Sequence, residues 1–191
     1  CFFIDVSSQA NMGFRDEIDG DGIGGWFDQG MNDLRNMVTG KQILANVPFG
    51  IINPTANNGK SAIILFGKAR TYFPAKISGI PVNRTAARLY FLHGMGWKDE
   101  GIVLSYQINY ANGETAEIPI TYGNEISGWW SPQIIPNAKI AFEAANTFSK
   151  RVGVYCYRWE NPKPKMIIKA IDIISAKNNA VPVVLAITGE N

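Results

Sequence analysis

An all-β sandwich is the fold class this sequence predicts, on three observations. Aromatic residues are 12% of the chain, with 19 glycines and 10 prolines in 191 residues, a mix of strand formers and turn formers. Period-2 alternation recurs in short stretches across most of the chain. There is no βαβ rhythm, no internal repeat and no low-complexity linker. Residues 1–191 therefore read as one domain of roughly eight to ten antiparallel strands.

Phe2–Val6, Gln42–Val47, Ala62–Phe66, Ala75–Ile80 and Ala86–Leu92 are the first strand candidates, each followed by turn-forming residues. In the next, Ile102, Leu104, Tyr106, Ile108 and Tyr110 share one face while Ser105, Gln107 and Asn109 share the other. Asn112-Gly113 then gives a strong hairpin signal. Ala116, Ile118 and Ile120 alternate on the return strand, so 102–120 reads as one antiparallel hairpin. Lys139–Glu143, Val152–Trp159, Ile167–Ile174 and Val183–Thr188 complete the set. Only Asp33–Met37 and Ala144–Ser149 read as helical, about one turn each.

Hydrophobic residues at 46% and charged residues at 18% exclude a disordered chain. The net charge is +2, and no Lys/Arg cluster is dense enough for a phosphate track, so no nucleic-acid partner is expected. No apolar run reaches the roughly 18 residues of a membrane span, and no signal peptide is visible. Of the two cysteines, Cys156 sits in the run Val152–Tyr157 and reads as a buried thiol. Cys1 has two readings: an acylated lipoprotein terminus, or simply the residue at which the sequence starts.

The stretch Gly24–Arg35 sets Trp26 and Phe27 among glycines, carboxylates, amides and an arginine. Such a set suits a sugar site, and equally an ordered structural loop. All five tryptophans, Trp26, Trp97, Trp129, Trp130 and Trp159, fall in loops or at strand ends. Those loops are 11–40, 93–101, 121–137 and 159–166.

Catalytic signatures are poor. There is no Gly-x-Ser-x-Gly elbow and no His-Glu-x-x-His helix. His93, the only histidine, reads as a structural hydrogen-bonder at a strand end. Asp16, Glu17, Asp19, Asp21, Asp28 and Asp33 crowd one loop, which supplies carboxylate pairs for hydrolysis on paper. The same loop matches a calcium pattern, with Glu17, Asp19, Asp21 and Asp28 at positions 1, 3, 5 and 12 and Gly22 at 6. The alternative is a glycine-rich turn whose acids cap amides or pair with Arg15 and Arg35.

The closing run Trp159–Pro164, Ile167–Ile174 and Val181–Gly189 resembles the last two strands of galactose-binding-like jelly-roll domains. Gly24–Arg35, Val47-Pro48-Phe49 and Arg88–His93 are similar to accessory modules of bacterial polysaccharide-degrading enzymes. The resemblance implies a two-sheet antiparallel jelly roll, a structural Ca2+ and a secreted, periplasmic or cell-surface setting. It also implies a non-catalytic carbohydrate-binding role, for a polysaccharide or oligosaccharide, beside a catalytic domain. By type and placement Trp26, Asp28, Asn32, Asp33 and Arg35 match a loop-end site, and Trp97, Trp129 and Trp130 offer stacking faces. Adjacent strand residues point opposite ways, so one of Trp129 and Trp130 at most faces a ligand. If calcium pins Glu17–Asp28, Trp26 and Phe27 become plugs sealing the sandwich end. Two alternatives remain: a docking domain beside a glycoside hydrolase with no sugar site, and a lyase or hydrolase using the loop carboxylates.

Overall fold

The period-2 stretches become strands in the computed structural model, which describes residues 1–191. In chain order they are β1 (Phe2–Ile4), β2 (Gly40–Leu44), β3 (Val47–Ile51), β4 (Ile63–Ile64), β5 (Lys76–Arg84) and β6 (Arg88–Gly96). There follow β7 (Ile102–Tyr110), β8 (Thr115–Thr121), β9 (Ala138–Ala144), β10 (Val152–Glu160), β11 (Ile168–Ser175) and β12 (Val181–Glu190). The larger sheet has the order β1-β12-β6-β10-β9, with β4 also paired to β12; the smaller has the order β5-β11-β7-β8. All the strand pairings are antiparallel. The all-β sandwich is therefore observed.

The inner faces of the two sheets meet in one cluster of 24 buried residues. Leu89 and Phe91 of β6 and Val184 and Ile187 of β12 face Tyr106 and Ile108 of β7 and Ile171 and Ile173 of β11. The β7–β8 hairpin forms as its alternation predicts, with Tyr106 opposite Ile118 and Gly113 in the turn at φ 87°. At its start the pairing register shifts between Ile102 and Leu104, so Val103 turns inward and Ile102 is exposed.

A second core of 22 buried residues covers the outer face of the larger sheet. There Val152, Val154 and Cys156 of β10 and Val183 and Leu185 of β12 pack under Met12, Phe14, Trp26, Phe27, Leu34, Phe49 and Ile51. The first third of the chain is thus a third layer. It accounts for β12, whose first nine residues are all buried. A strand covered on both faces reads as a continuous apolar run, and each such side chain contributes about 1.5–3 kcal/mol on burial.

Gln42–Val47, expected as one strand, spans the β2–β3 hairpin, with Ala45 and Asn46 both at positive φ (51° and 66°) in its two-residue turn. Neither expected helical turn forms; the helical residues are 3-10 turns at Ser7–Gln9 and Pro54–Ala56. Asp33 Oδ1 accepts from the Arg35 N–H, and Asn146 Oδ1 from the N–H groups of Phe148 and Ser149. These local bonds offer the backbone an alternative to the helix. No helix is long and apolar enough to cross a membrane.

His93 lies fully buried within β6. Its Nε2 is 2.9 Å from the Glu125 carbonyl oxygen, which can only accept, so Nε2 carries the proton. Nδ1 then accepts from the Tyr106 hydroxyl at 2.8 Å. Burial pushes the ring down from 6.5 to about 4. The unfolded chain therefore takes up this proton first as pH falls. The contribution, about 3 kcal/mol, is complete above pH 6.5 and is lost between there and about pH 4. Urea unfolding of wild type and His93→Gln between pH 7 and 4 checks this: the wild-type loss is expected to be steeper.

Candidate functional site: the tryptophan layer and the acidic loop

Glycines recur at every second position from 20 to 24, and the backbone uses them. Gly20, Gly22, Gly24, Trp26, Asp28 and Gly30 all have positive φ, between 54° and 88°. This alternation curls the chain so that amides converge on an anion. Asp28 supplies it, with Oδ1 accepting from Gly20 N–H at 3.0 Å and Oδ2 from Gly22 N–H at 2.9 Å. Trp26 holds a left-handed φ of 54°, unusual for a bulky residue, with its N–H donating to the Gly13 carbonyl at 2.8 Å. Gly25 runs against residue 15, where an added Cβ would meet the Arg15 backbone at 2.5–2.8 Å.

That curl drives two rings into the second core. Trp26 and Phe27 are both 0% exposed. Trp26 packs edge-on to Phe27 and to Trp129, at 5.0 and 5.5 Å between ring centroids. Phe27 touches Trp97 at 6.1 Å and lies against Gly96, whose missing side chain makes room for the ring. The Arg70 guanidinium sits 4.8 Å over Trp97 and donates to the carbonyls of Phe27 and Asp28 and to Asp19 Oδ1.

Beside the rings lies a carboxylate network. Asp33 Oδ2 accepts from Asp16 N–H at 2.8 Å, and both its oxygens take the Arg35 guanidinium, at 2.8 and 2.9 Å. This pairing raises the Arg35 pKa further. Asp16 accepts from the N–H groups of Glu17, Ile18 and Gly30. Burial, opposed by those bonds and aided by the nearby Asp28 charge, raises its pKa above the ordinary carboxylate value. Tyr72 donates its hydroxyl to Asp28 Oδ2.

The expected ligand residues thus divide. Trp26, Asp28, Asp33 and Trp129 are buried in internal contacts, which corrects the expectation that their side chains face a ligand in this arrangement. Trp26 and Phe27 are buried as plugs would be, but against the outer face of the larger sheet rather than at an end between the sheets. Asn32 accepts from Asn146 Nδ2 at 2.9 Å. Arg35 lines a polar cleft of about 770 Å3 with Arg15, Asn53 and Lys60. Trp97 is half-buried under Arg70. Trp130 alone of the tryptophans is well exposed, at 43%, set edge-on against Trp129 at 5.8 Å.

The expected metal ligands divide too. Glu17 turns to Arg15 at 2.8 Å and Asp19 to Arg70 at 2.8 Å. Asp21 and Asp28 come together, joined by Asp16, with oxygens of all three within 4.8 Å of one another. Asp16 precedes the twelve-residue pattern by one position, so that pattern misses it. Arg70 and Tyr72 lie about forty residues downstream, and nothing local marks them as partners of this loop.

No family model matches this chain, and no curated protein or solved structure matches it.

Proposed function

We propose that this chain is a non-catalytic carbohydrate-binding accessory domain whose sugar-facing ring is Trp130. The observation carrying this is an exposed indole set edge-on against a buried one: Trp130 is 43% exposed, while Trp129 beside it is buried. A pre-fixed ring loses little freedom on binding, and sugar C–H faces stack on such rings. Polar groups hang on the same end of β10. Trp130 bridges Val152, Ser131 N–H donates to the Arg151 carbonyl, and Arg151 donates to the Pro132 carbonyl. The preceding loop carries Asn146, which holds Asn32. Support for the jelly-roll reading comes from the strand orders, since β5, β6 and β7, and again β10, β11 and β12, alternate between the sheets. A secreted, periplasmic or cell-surface setting belongs to the same reading.

Trp130→Ala is expected to weaken glycan binding at least tenfold, a loss of about 1.4 kcal/mol or more, with the melting temperature nearly unchanged. Isothermal titration of wild type and variant against a panel of neutral glycans measures it. Unaltered affinity for every glycan that the wild type binds would sink the reading. A second reading, docking on an adjacent catalytic domain, draws on Met31, Phe148 and Trp130, exposed apolar residues attached to this end. It predicts no binding across the panel and a blue-shifted Trp130 emission when the neighbouring domain is added.

The proposal includes a structural calcium held by Asp16, Asp21 and Asp28. The donor set suits an oxygen-seeking cation: Asp16 and Asp28 are buried carboxylates outside every ion pair, and an ion would use the lone pairs left over from the N–H groups and the Tyr72 hydroxyl that already donate to them. Such an ion would neutralise the charges that the curl brings together. Calcium at 100 times its Kd is expected to add about 2.7 kcal/mol, or roughly 5–10 °C in Tm. Melting in CaCl2 against EGTA checks it, with Asp21→Asn as the variant that removes the gain. Equal melting temperatures in the two buffers would dispose of the metal.

A further inference from the structure

A cleft of about 1020 Å3 opens where the third layer stops short of covering the larger sheet. Its floor includes Tyr90 of β6, Cys156 and Arg158 of β10, and Lys139 of β9. Arg158 lies opposite Tyr90 and Cys156 opposite Lys139, so these four side chains share the outer face. One wall is the β2–β3 turn at Asn46. The other is the segment 134–137, on which Ile134 is 94% exposed.

The charges lining this cleft, Glu125, Lys139 and Arg158, and those beside it are unevenly satisfied. Glu190 is taken by Arg88 at 3.2 Å and by the Tyr90 hydroxyl at 2.5 Å. Glu125 is held by Asn137 Nδ2 at 2.7 Å and by the Thr121 N–H at 3.0 Å. Glu160 meets Arg88 at 2.9 Å and Arg158 at 3.2 Å through the same oxygen, so Arg158 has only a shared partner. Lys139 is exposed and, unlike Lys76 and Lys163, has no ion-pair partner. Arg158 stands beside the Tyr90 phenol across the β6–β10 pairing and Lys139 lies one strand further on, with Asn46 and Asn137 at the walls.

We infer that this cleft binds a saccharide bearing a carboxylate, a uronic acid unit, with Lys139 and Arg158 at the carboxylate and Tyr90 under the sugar ring. A carboxylate accepts charge-assisted bonds from a guanidinium and an ammonium together. Asn46 and Asn137 supply donors and acceptors for hydroxyls. Two cations without a wider basic track do not suit nucleic acid. The inference rests on the carbohydrate reading but uses a different surface. Trp130 bridges Val152 at the start of β10, and Arg158 lies six residues on, about 20 Å at strand rise.

Isothermal titration of the full chain with trigalacturonate and with galactotriose tests it. Trigalacturonate is expected to bind at least tenfold tighter than galactotriose, and less tightly as NaCl rises. The double variant Lys139→Gln/Arg158→Gln is expected to bind trigalacturonate at least tenfold more weakly with an unchanged melt, since both side chains are exposed. Trp130→Ala is expected to leave trigalacturonate binding intact. Equal affinity for the two trimers, an unaffected double variant, absent trigalacturonate binding at millimolar concentration, or its loss in Trp130→Ala overturns the inference. Failure of the Trp130 reading shows instead in the neutral glycan panel, so the two are told apart.

Discussion

Trp26→Ala is expected to lower the unfolding free energy by about 3–5 kcal/mol, the range for emptying a large buried aromatic site. The ring is 0% exposed and touches Phe14, Phe27 and Trp129, so no solvent contact softens the loss. Its neighbours cannot easily collapse inward, because Phe27 is already fixed against Gly96. At roughly 2–4 °C per kcal/mol for a chain of this size, the melting temperature falls by on the order of 10 °C. Trp26→Phe separates two contributions. Trp26 Nε1 is buried without a hydrogen-bond partner, a cost of about 1–3 kcal/mol that phenylalanine removes. The Phe variant is therefore expected to lose less than half as much as the Ala variant. Urea titration followed by intrinsic fluorescence reads both. A loss in Trp26→Ala no larger than that in Trp130→Ala would show that the layer does not depend on this ring.

Asp33→Ala is expected to cost about 3–5 kcal/mol through a different route. It strands the Arg35 guanidinium, of which only 19% of the side chain is exposed, and leaves the Asp16 and Arg35 N–H groups without their acceptor. Asp33→Asn is expected to be nearly as damaging, since an amide keeps the shape but brings a donor toward donors. Because the pair is buried, the loss is expected to persist in 0.5 M NaCl, where exposed pairs are screened. Arg15–Glu17 is the control: both side chains are more than half exposed, and Glu17→Gln is expected to leave the midpoint unchanged. Guanidinium chloride unfolding measures the set. An Asp33→Asn midpoint equal to wild type would mean the charge contributes nothing.

The strands are legible in the sequence because a half-buried strand has to alternate, and β7 and β8 do; β10 alternates only in its second half, its first five residues being buried on both faces. β12 is legible as a strand, but not the reason for its unbroken apolarity. Period-2 reasoning assumes one buried face, whereas β12 has a second core on its other side. Trp26, Phe27 and Leu34 come from the stretch that forms this cover. Their polar neighbours suggest a surface loop, because carboxylates that cap amides within the same curl look, in sequence, like carboxylates facing solvent. The exposed member of the Trp129-Trp130 pair follows from alternation once one ring is buried. Which of the two is buried depends on contact with Trp26, more than a hundred residues away, and no local pattern carries that. The calcium pattern counts positions along the chain, whereas in the fold Arg15 and Arg70 draw off Glu17 and Asp19 and the curl brings Asp16 beside Asp21 and Asp28.

The placement of β12 also imposes an order in time. This strand pairs with β1, β4 and β6 and is covered by residues of the first third of the chain, yet it comes last in sequence. During synthesis the ribosome releases the N-terminal layer first, long before the surface it covers exists. Trp26, Phe27 and Phe49 then wait without the sheet they cover while more than a hundred further residues are added. The larger sheet closes only when Val181–Glu190 has emerged and inserted between β1 and β6. Ribosome-bound chains that stop before β12 should hence remain protease-sensitive and bind holdase chaperones, a vulnerability written into the strand order itself.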